Sequence, residues 1–210
     1  MDPHGSEPVI RQGTPLGSAP VVIMLHGRGA GPKNILDLVP RLGLHHCTFV
    51  APAAAGNTWY PFSFLADIEK NQPFLDSALQ RVAALVDEAV AAGVPQERVA
   101  ILGFSQGACL TCEFAFRHPR RYGGIIAFTG GLIGPPGTTW SANGSFDGTP
   151  IFLGNSDTDP HVPQSRSDET AAAFSAMNAR VDRRIYPGMG HIVNDDEIEA
   201  ARSLLLASGF

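Results

Sequence analysis

A serine in a glycine-framed turn carries the strongest chemical signal in this sequence. Ser105 is the third residue of Gly103-Phe104-Ser105-Gln106-Gly107, which has the pattern G-x-S-x-G. In this pattern the serine lies on a sharp bend between a strand and a helix, and glycines are needed where a Cβ would collide with a neighbouring element. Apolar residues 99–102 and 108–116 supply that strand and helix. The context predicts a nucleophilic serine, and the alternative is an ordinary turn in which Ser105 caps the helix.

A serine hydroxyl needs two partners before it can attack a carbonyl carbon at neutral pH. A histidine must take its proton, and a carboxylate must hold that histidine in the right tautomer. After an elbow serine, the acid and then the histidine follow along the chain, each in a loop after a strand. His191 meets this condition, and Asp157 and Asp159 both meet it in an earlier loop. Judged from the residues, either aspartate could reach His191, and the other would bond its own backbone in a turn.

The negative charge that develops on the carbonyl oxygen needs two N–H donors. One is expected from the backbone of Gln106, directly after the serine and at the positive end of the following helix. The second is expected from the loop after the buried strand at residues 20–25, where we choose the backbone of Arg28. For the Arg28 side chain two interpretations remain open: it contacts a substrate carboxylate, or it faces water.

Residues 51–65 form an aromatic-rich stretch that is too irregular for a helix. We expect this loop to line a shallow apolar pocket for an acyl or aryl group, with Trp59 and Tyr60 as substrate contacts. The alternative is that its rings close one end of the core. His26 and His161 are less favoured as the base, since each precedes the position that chain order gives to it. Both are included among the expected substrate-binding residues.

The elements that must position these residues alternate between strand-length apolar runs and amphipathic segments. Strands are predicted at residues 8–11, 20–25, 47–50, 99–102, 124–128, 150–153 and 181–186. Helices are predicted at residues 34–42, 73–92, 108–116 and 167–178, and a last one begins after Asn194. This alternation indicates an α/β fold, a mainly parallel sheet with helices on both faces, whose sites lie at the carboxyl ends of the strands. Residues 1–19 are expected to be a loosely held tail or edge element, and residues 20–210 one compact domain without a large lid.

Composition and net charge limit the kinds of molecule and compartment that are expected for this chain. A chain of 210 residues with 44% hydrophobic and 17% charged residues can bury the core of one domain. Its net charge of −5 includes no basic stripe, so nucleic acid is not expected as a partner. No apolar stretch approaches the ~20 residues needed to span a bilayer, so stable membrane insertion is not expected. Three cysteines fit a reducing, cytoplasmic location. No ligand cluster lies near the serine, so neither a metal nor a cofactor is expected.

Four motifs, taken together, resemble those of a known family. They are Leu25-His26-Gly27, Gly103-Phe104-Ser105-Gln106-Gly107, Asp159-Pro160-His161-Val162-Pro163 and Gly188-Met189-Gly190-His191. In type and order they are similar to the motifs of the phospholipase/carboxylesterase family of α/β-hydrolases, which includes acyl-protein thioesterases and small bacterial esterases. The resemblance runs from about residue 21 to the C-terminus.

The resemblance implies an α/β-hydrolase fold and hydrolysis of esters without a cofactor. It also implies that Asp159, which directly precedes the proline of its motif, is the triad acid rather than Asp157. The family's oxyanion hole maps onto the backbones of Arg28 and Gln106.

One departure from the family concerns the substrate. Many relatives carry an apolar and then an acidic residue after His-Gly, whereas this chain has Arg28-Gly29-Ala30. We expect a serine carboxylesterase that forms an acyl-enzyme on Ser105 from esters of small to medium acyl or aryl groups. The alternatives are an acyl-thioesterase or lysophospholipase with the same triad, and a non-catalytic ligand-binding module on the same fold. A homodimer is left open, since no interface is identified.

Overall fold

Seven strands form one sheet that carries helices on both faces. The computed structural model describes residues 2–141 and 143–210. The strands are β1 Val9–Gly13, β2 Val21–Leu25, β3 Thr48–Pro52, β4 Val99–Phe104, β5 Gly124–Phe128, β6 Pro150–Ser156 and β7 Arg180–Tyr186. The helices are α1 Pro32–Leu36, α2 Val39–Leu42, α3 Phe74–Ala91, α4 Gln106–Arg117, α5 Gln164–Ala176 and α6 Asp195–Ala207. The predicted α/β architecture is confirmed.

The strand order places two loops of the predicted site side by side. The order is β1-β3-β2-β4-β5-β6-β7, and all pairs are parallel except β1 with β3. The chain therefore leaves β2 toward one edge of the sheet and returns at β4 on its other side. Leu25 at the end of β2 pairs with Gly103 near the end of β4. Ligands bind at such a switch point in open α/β sheets.

The central strands are apolar throughout because both faces of the sheet are covered. Ile23 and Ile101 lie in the core shared with α3, α4 and α5, whereas Met24 and Leu102 lie in the core shared with α1, α2 and α6. All four side chains are fully buried. Two packed layers therefore fix the strand ends from which the site loops emerge.

The prediction of one continuous helix at residues 34–42 is wrong. The structure has two short helices, α1 and α2, with Pro40 in the first turn of α2. A proline there has no N–H to donate to Leu36, and its ring would clash with that carbonyl in a continuous helix. The longest helix is α3, with 18 residues. No helix within residues 2–141 and 143–210 is long and apolar enough to cross a membrane.

The N-terminal segment adds a strand at the sheet edge and a buried histidine. β1 pairs antiparallel with β3, in the region where the sequence predicts a short edge strand. Ahead of it, His4 is fully buried. Its backbone N–H donates to Ser77 Oγ at 2.9 Å, which ties the segment to α3. The segment expected to be loosely held therefore contributes a residue to the protein interior.

Candidate active site

The turn between β4 and α4 holds Ser105 in a strained backbone conformation. Ser105 has φ 56° and ψ −119°, and positive φ values are uncommon for residues other than glycine. A Cβ on Gly103 would lie 2.3 Å from the carbonyl oxygen of Gly107, and one on Gly107 would lie 2.1 Å from that of Leu25. The Ser105 N–H donates to the carbonyl of Phe128 at 3.0 Å. The two glycines thus permit the close approach of strand and helix that leaves the Ser105 side chain at the end of the sheet.

Three polar side chains from distant parts of the chain form one hydrogen-bonded row. His191 Nε2 lies 2.8 Å from Ser105 Oγ, and His191 Nδ1 lies 2.7 Å from Asp159 Oδ2. The Asp159 side chain is fully buried, and one fifth of the His191 side chain is exposed. Since an ionised carboxylate only accepts, Nδ1 carries the proton and Nε2 is free to accept from the serine hydroxyl. This arrangement can draw a proton from Ser105.

Asp159 is held by its own loop as well as by His191. Its Oδ1 accepts from the backbone N–H groups of His161 and Val162, both at 2.8 Å. Buried Asn155, at the end of β6, donates from Nδ2 to the carbonyl of Val162 at 3.1 Å. The carboxylate is therefore fixed in orientation before any substrate arrives. Sequence reasoning did not identify Asn155, and its burial in a strand gave no signal that distinguishes it from a core residue.

Asp157 lies in the same loop and has a different partner. Its Oδ1 accepts from the backbone N–H of Gly188 at 2.7 Å. The expectation that the second aspartate bonds its own backbone is therefore wrong, because Asp157 reaches the loop that carries His191. The structure pairs Asp159, and not Asp157, with the histidine.

Arg28 and Gln106, the residues predicted to supply backbone N–H donors, line the same cavity as Ser105. Gln106 is the first residue of α4, where backbone N–H groups have no partner within the helix. No atom in the described part of the chain accepts from the Arg28 N–H. Gly27, next to Arg28, packs against the serine, since a Cβ there would lie 3.4 Å from Ser105 Cβ. Neither N–H group is therefore engaged by another atom of the described residues.

The side chains of Arg28 and Gln106, which both line the cavity, bind carbonyl groups of the aromatic loop at residues 51–65. The Arg28 guanidinium donates to the carbonyls of Tyr60, Pro61 and Phe62 at 2.9, 2.9 and 2.7 Å. Gln106 Nε2 donates to the same Tyr60 carbonyl at 2.8 Å. Neither sequence interpretation of the Arg28 side chain anticipated this role. Arg28, at the position where the sequence departs from the family that it resembles, therefore holds the neighbouring loop in place.

Two buried histidines hold the same loop from below. His26 Nε2 accepts from the N–H of Ala54 at 3.1 Å, so its Nδ1 carries the proton and donates to Gly27 O at 2.8 Å. His4 Nδ1 accepts from the N–H of Ala55 at 3.0 Å, and its Nε2 donates to the Trp59 carbonyl at 3.0 Å. Burial lowers the pKa of both imidazoles. Both rings are therefore neutral structural groups.

A cavity of about 520 Å³ opens over Ser105 and His191. Its wall includes Tyr60 and His161, two of the predicted substrate contacts. The other two, Trp59 and His26, do not line it. The Trp59 indole is fully buried, and its ring centroid lies 5.5 Å from that of His4 and 4.9 Å from that of His26. Its Nε1 donates to the carbonyl of His26 at 2.8 Å. The predicted substrate contact at Trp59 is replaced by a packing role, because the indole and its N–H are both satisfied in the interior.

Cavity-lining residues that sequence reasoning missed include Phe62, Phe64, Val162 and Cys109. The two phenylalanines lie in the aromatic stretch already singled out, so its composition was the available signal. Cys109 was assigned to the core as a small buried residue, and it is fully buried. Burial raises the pKa of its thiol to about 11, so it is a neutral wall group rather than a second nucleophile.

The same fold occurs in known proteins. Residues 8–208 match the phospholipase/carboxylesterase family. The chain is 32% identical over 207 residues to acyl-protein thioesterase 1 of Eremothecium gossypii, with 89% of this chain and 86% of the relative covered. A solved phospholipase/carboxylesterase from Dyadobacter fermentans is 45% identical with a TM-score of 0.92, with 96% of this chain and 97% of that chain covered. A Bacillus cereus carboxylesterase, 19% identical with a TM-score of 0.77 over 97% of this chain and 95% of that chain, shares the fold. The chain therefore has the α/β-hydrolase fold and belongs to the phospholipase/carboxylesterase family of hydrolases.

Proposed function

We propose that this protein is a serine carboxylesterase with Ser105 as nucleophile, His191 as general base and acid, and Asp159 as the group that orients His191. The observation that supports these roles is the hydrogen-bonded row from Ser105 Oγ through the His191 ring to the buried Asp159 carboxylate. Each link is of hydrogen-bond length. The order of the three residues along the chain is that of elbow hydrolases.

The reaction begins when Ser105 Oγ attacks the ester carbonyl carbon and His191 Nε2 accepts its proton. The resulting imidazolium is stabilised by Asp159, and the carbonyl oxygen, now negative, accepts from the N–H groups of Arg28 and Gln106. The tetrahedral intermediate collapses as His191 Nε2 donates the proton to the leaving alcohol oxygen. Water then attacks the acyl-enzyme with His191 again as base, and the carboxylic acid leaves while Ser105 regains its proton.

Small to medium acyl or aryl groups are the proposed substrates. The walls of the cavity over Ser105 include the aromatic rings of Tyr60, Phe62 and Phe64. Such rings bury apolar surface and contribute roughly 25 cal/mol per Å² of substrate removed from water. Tyr60 and Phe64 are buried side chains that close the inner end, whereas Phe62 is 55% exposed at the rim.

Hydrolysis of acyl thioesters is the second candidate for the same residues. It is supported by the identity to the Eremothecium gossypii protein, which is named an acyl-protein thioesterase. The two reactions differ only in the leaving atom that His191 must protonate. Matched ester and thioester substrates with one acyl group, compared by kcat/KM, distinguish them.

Cytoplasmic location is also proposed. Cys47, Cys109 and Cys112 are free and buried, in line with a reducing compartment.

The deciding experiment is intact-protein mass spectrometry after treatment with a fluorophosphonate, together with hydrolysis of p-nitrophenyl acetate, butyrate and octanoate. We expect one adduct, on Ser105, with loss of turnover. Ser105→Ala should abolish labelling and lower kcat by roughly 10⁴-fold or more. Ser203→Ala, at an exposed serine on α6, is the matched control and should behave as the parent. Labelling without turnover loss, or parental rates in Ser105→Ala, would refute the assignment. Ligand binding with neither labelling nor turnover would indicate a non-catalytic module.

A further inference from the structure

A second cavity of about 430 Å³ adjoins the aromatic one at His191. The two cavities share the wall residues Gly27, Ala30, Phe104 and His191. The second one continues over apolar side chains of α1, the α1–α2 junction and the loop before α6, namely Ile35, Leu38, Ile192 and Val193. No role in the proposed reaction has been assigned to this space.

The His191 ring lines both cavities. The His161 ring lies with its centroid 4.7 Å from that of His191, and His161 lines only the aromatic cavity. Phe104 has its ring centroid 5.1 Å from that of His191 and lines both cavities. Gly27 packs against Ser105 at the shared wall. Both cavities therefore reach the residue that transfers the proton.

The stereochemistry of acyl transfer assigns a different part of the ester to each cavity. In the tetrahedral intermediate the oxyanion faces the N–H groups of Arg28 and Gln106, and the leaving oxygen must lie within hydrogen-bond reach of His191 Nε2 to be protonated. The acyl chain must then point away from the leaving oxygen. The aromatic cavity, which extends from Ser105 to Tyr60 and Cys109, suits the acyl chain.

We propose that the second cavity binds the alcohol part of the ester, and that this part is an uncharged alkyl group. The inference rests on the proposed function and adds the class of leaving group. Ile192, 55% exposed, and Leu38 offer alkyl surface. Arg41 also lines this cavity, and its charge is partly offset by an exposed ion pair with Asp195 at 2.8 Å. The lining thus matches a hydrocarbon chain rather than an anionic headgroup.

The test measures kcat/KM for two ester series that vary one part at a time. Ethyl to octyl acetates vary the alcohol at a constant acyl group, and p-nitrophenyl acetate to octanoate vary the acyl group at a constant leaving group. Because kcat/KM includes every step up to release of the alcohol, it reports contacts made by both parts. Full burial of one methylene group corresponds to about a fourfold gain. We expect kcat/KM of the parent to rise about tenfold or more from ethyl to octyl acetate.

Two variants act on the second cavity and one on the first. Leu38→Trp fills the second cavity, and Ile192→Ser removes apolar wall at an exposed position where folding is not at risk. Both should bring the octyl-to-ethyl ratio of kcat/KM close to one and keep the parental octanoate-to-acetate ratio.

Phe62→Ser is the matched variant, since Phe62 is also 55% exposed but lines only the aromatic cavity. It should lower the octanoate-to-acetate ratio and keep the octyl-to-ethyl ratio. Leu206→Gln, at an exposed position at the far end of α6, should match the parent in both series.

The reverse pattern, in which Phe62→Ser removes the preference for long alcohols and Ile192→Ser does not, would overturn the inference. An equal kcat/KM for ethyl and octyl acetate in the parent would also overturn it, while turnover of p-nitrophenyl acetate left the proposed function intact. Absence of turnover in both series, with no fluorophosphonate adduct on Ser105, would overturn the proposed function and this inference together.

Discussion

At the scale of single residues, two aspartates of one loop differ because different partners meet them. Asp159 pairs with the His191 ring, whereas Asp157 accepts from the backbone N–H of Gly188. Asp159 fixes the tautomer of the base, and Asp157 fixes the loop that carries it. Only the first role requires a negatively charged oxygen, which accepts a hydrogen bond from the ring N–H.

Asp159→Asn should therefore lower kcat for p-nitrophenyl acetate by roughly 10³- to 10⁴-fold, because an amide does not stabilise the imidazolium and permits the wrong tautomer. Asp157→Asn is the matched control. Its amide oxygen can still accept from Gly188, so its kcat should stay within about tenfold of the parent. Steady-state kinetics of the two purified variants check this, and equal losses would contradict the separate roles.

Glu197 gives the molecule a pH-dependent stability. It is fully buried in the first turn of α6, where Oε2 accepts from the Asn194 N–H at 2.9 Å and burial raises its pKa to about 7. The ordinary value is 4.5, so the folded protein holds the proton more tightly than the unfolded chain between pH 4.5 and 7. The contribution of Glu197 to the free energy of unfolding must then fall as the pH rises through this window and level off above it.

Glu197→Gln should remove this pH dependence, because the amide is neutral at every pH and its oxygen can still accept from Asn194. At pH 8 the variant should be more stable than the parent by up to about 3 kcal/mol, and at pH 4 the two should be nearly equal. Urea unfolding at the two pH values measures the difference. Glu199→Gln, exposed on the same helix, should keep the parental dependence, and a parental dependence in Glu197→Gln would contradict the assignment.

At the scale of elements, the loop after β3 is held from two sides. Arg28 and Gln106 bind its carbonyls from the site, and His4 and His26 accept from its N–H groups from below. The acceptor bonds exist only while the imidazoles are neutral. Burial lowers the pKa of both histidines below 6.5, so their contribution is complete above pH 6.5 and is lost as the pH falls below it.

Amide hydrogen exchange should detect this loss at Ala54 and Ala55, whose N–H groups donate to the two imidazoles. Their protection factors should fall between pH 7 and pH 5, after correction for the intrinsic exchange rate. The N–H of Thr48, which donates to the Pro20 carbonyl at 2.8 Å, is the internal control and should keep its protection. Equal changes at all three amides would indicate global destabilisation rather than titration of the loop anchors.

At the scale of the whole molecule, stability comes from a sheet that is covered on both faces. Central strand β4 places Ile101 in one core and Leu102 in the other, both fully buried. The site lies where this rigid strand ends, so the backbone strain at Ser105 is supported by packing beneath it.

Ile101→Ala should lower the free energy of unfolding by about 2–5 kcal/mol, through lost burial and a residual cavity. For a chain of this size that corresponds to a fall in Tm of about 5–15 °C. Val90→Ala, at a position 41% exposed on α3, should change Tm by no more than about 2 °C. Thermal unfolding followed by circular dichroism compares the two, and similar Tm values would contradict the core assignment.

The sequence by itself determined the alternation of strands and helices, the elbow at Ser105 and the positions of His191 and two candidate acids. These features depend on local patterns, namely apolar periodicity, glycine at a sterically crowded turn and chain order. The split of one predicted helix was also encoded locally, by Pro40, although the periodicity masked it.

Only the tertiary structure decided which groups meet across long stretches of chain. It paired Asp159 with His191, directed the Arg28 guanidinium to three loop carbonyls, buried Trp59 between two histidines and opened a second cavity beside the base. Each of these contacts joins residues about 30 or more positions apart. Their directions depend on how two layers of helices pack on the sheet, and no local pattern in the sequence specifies that packing.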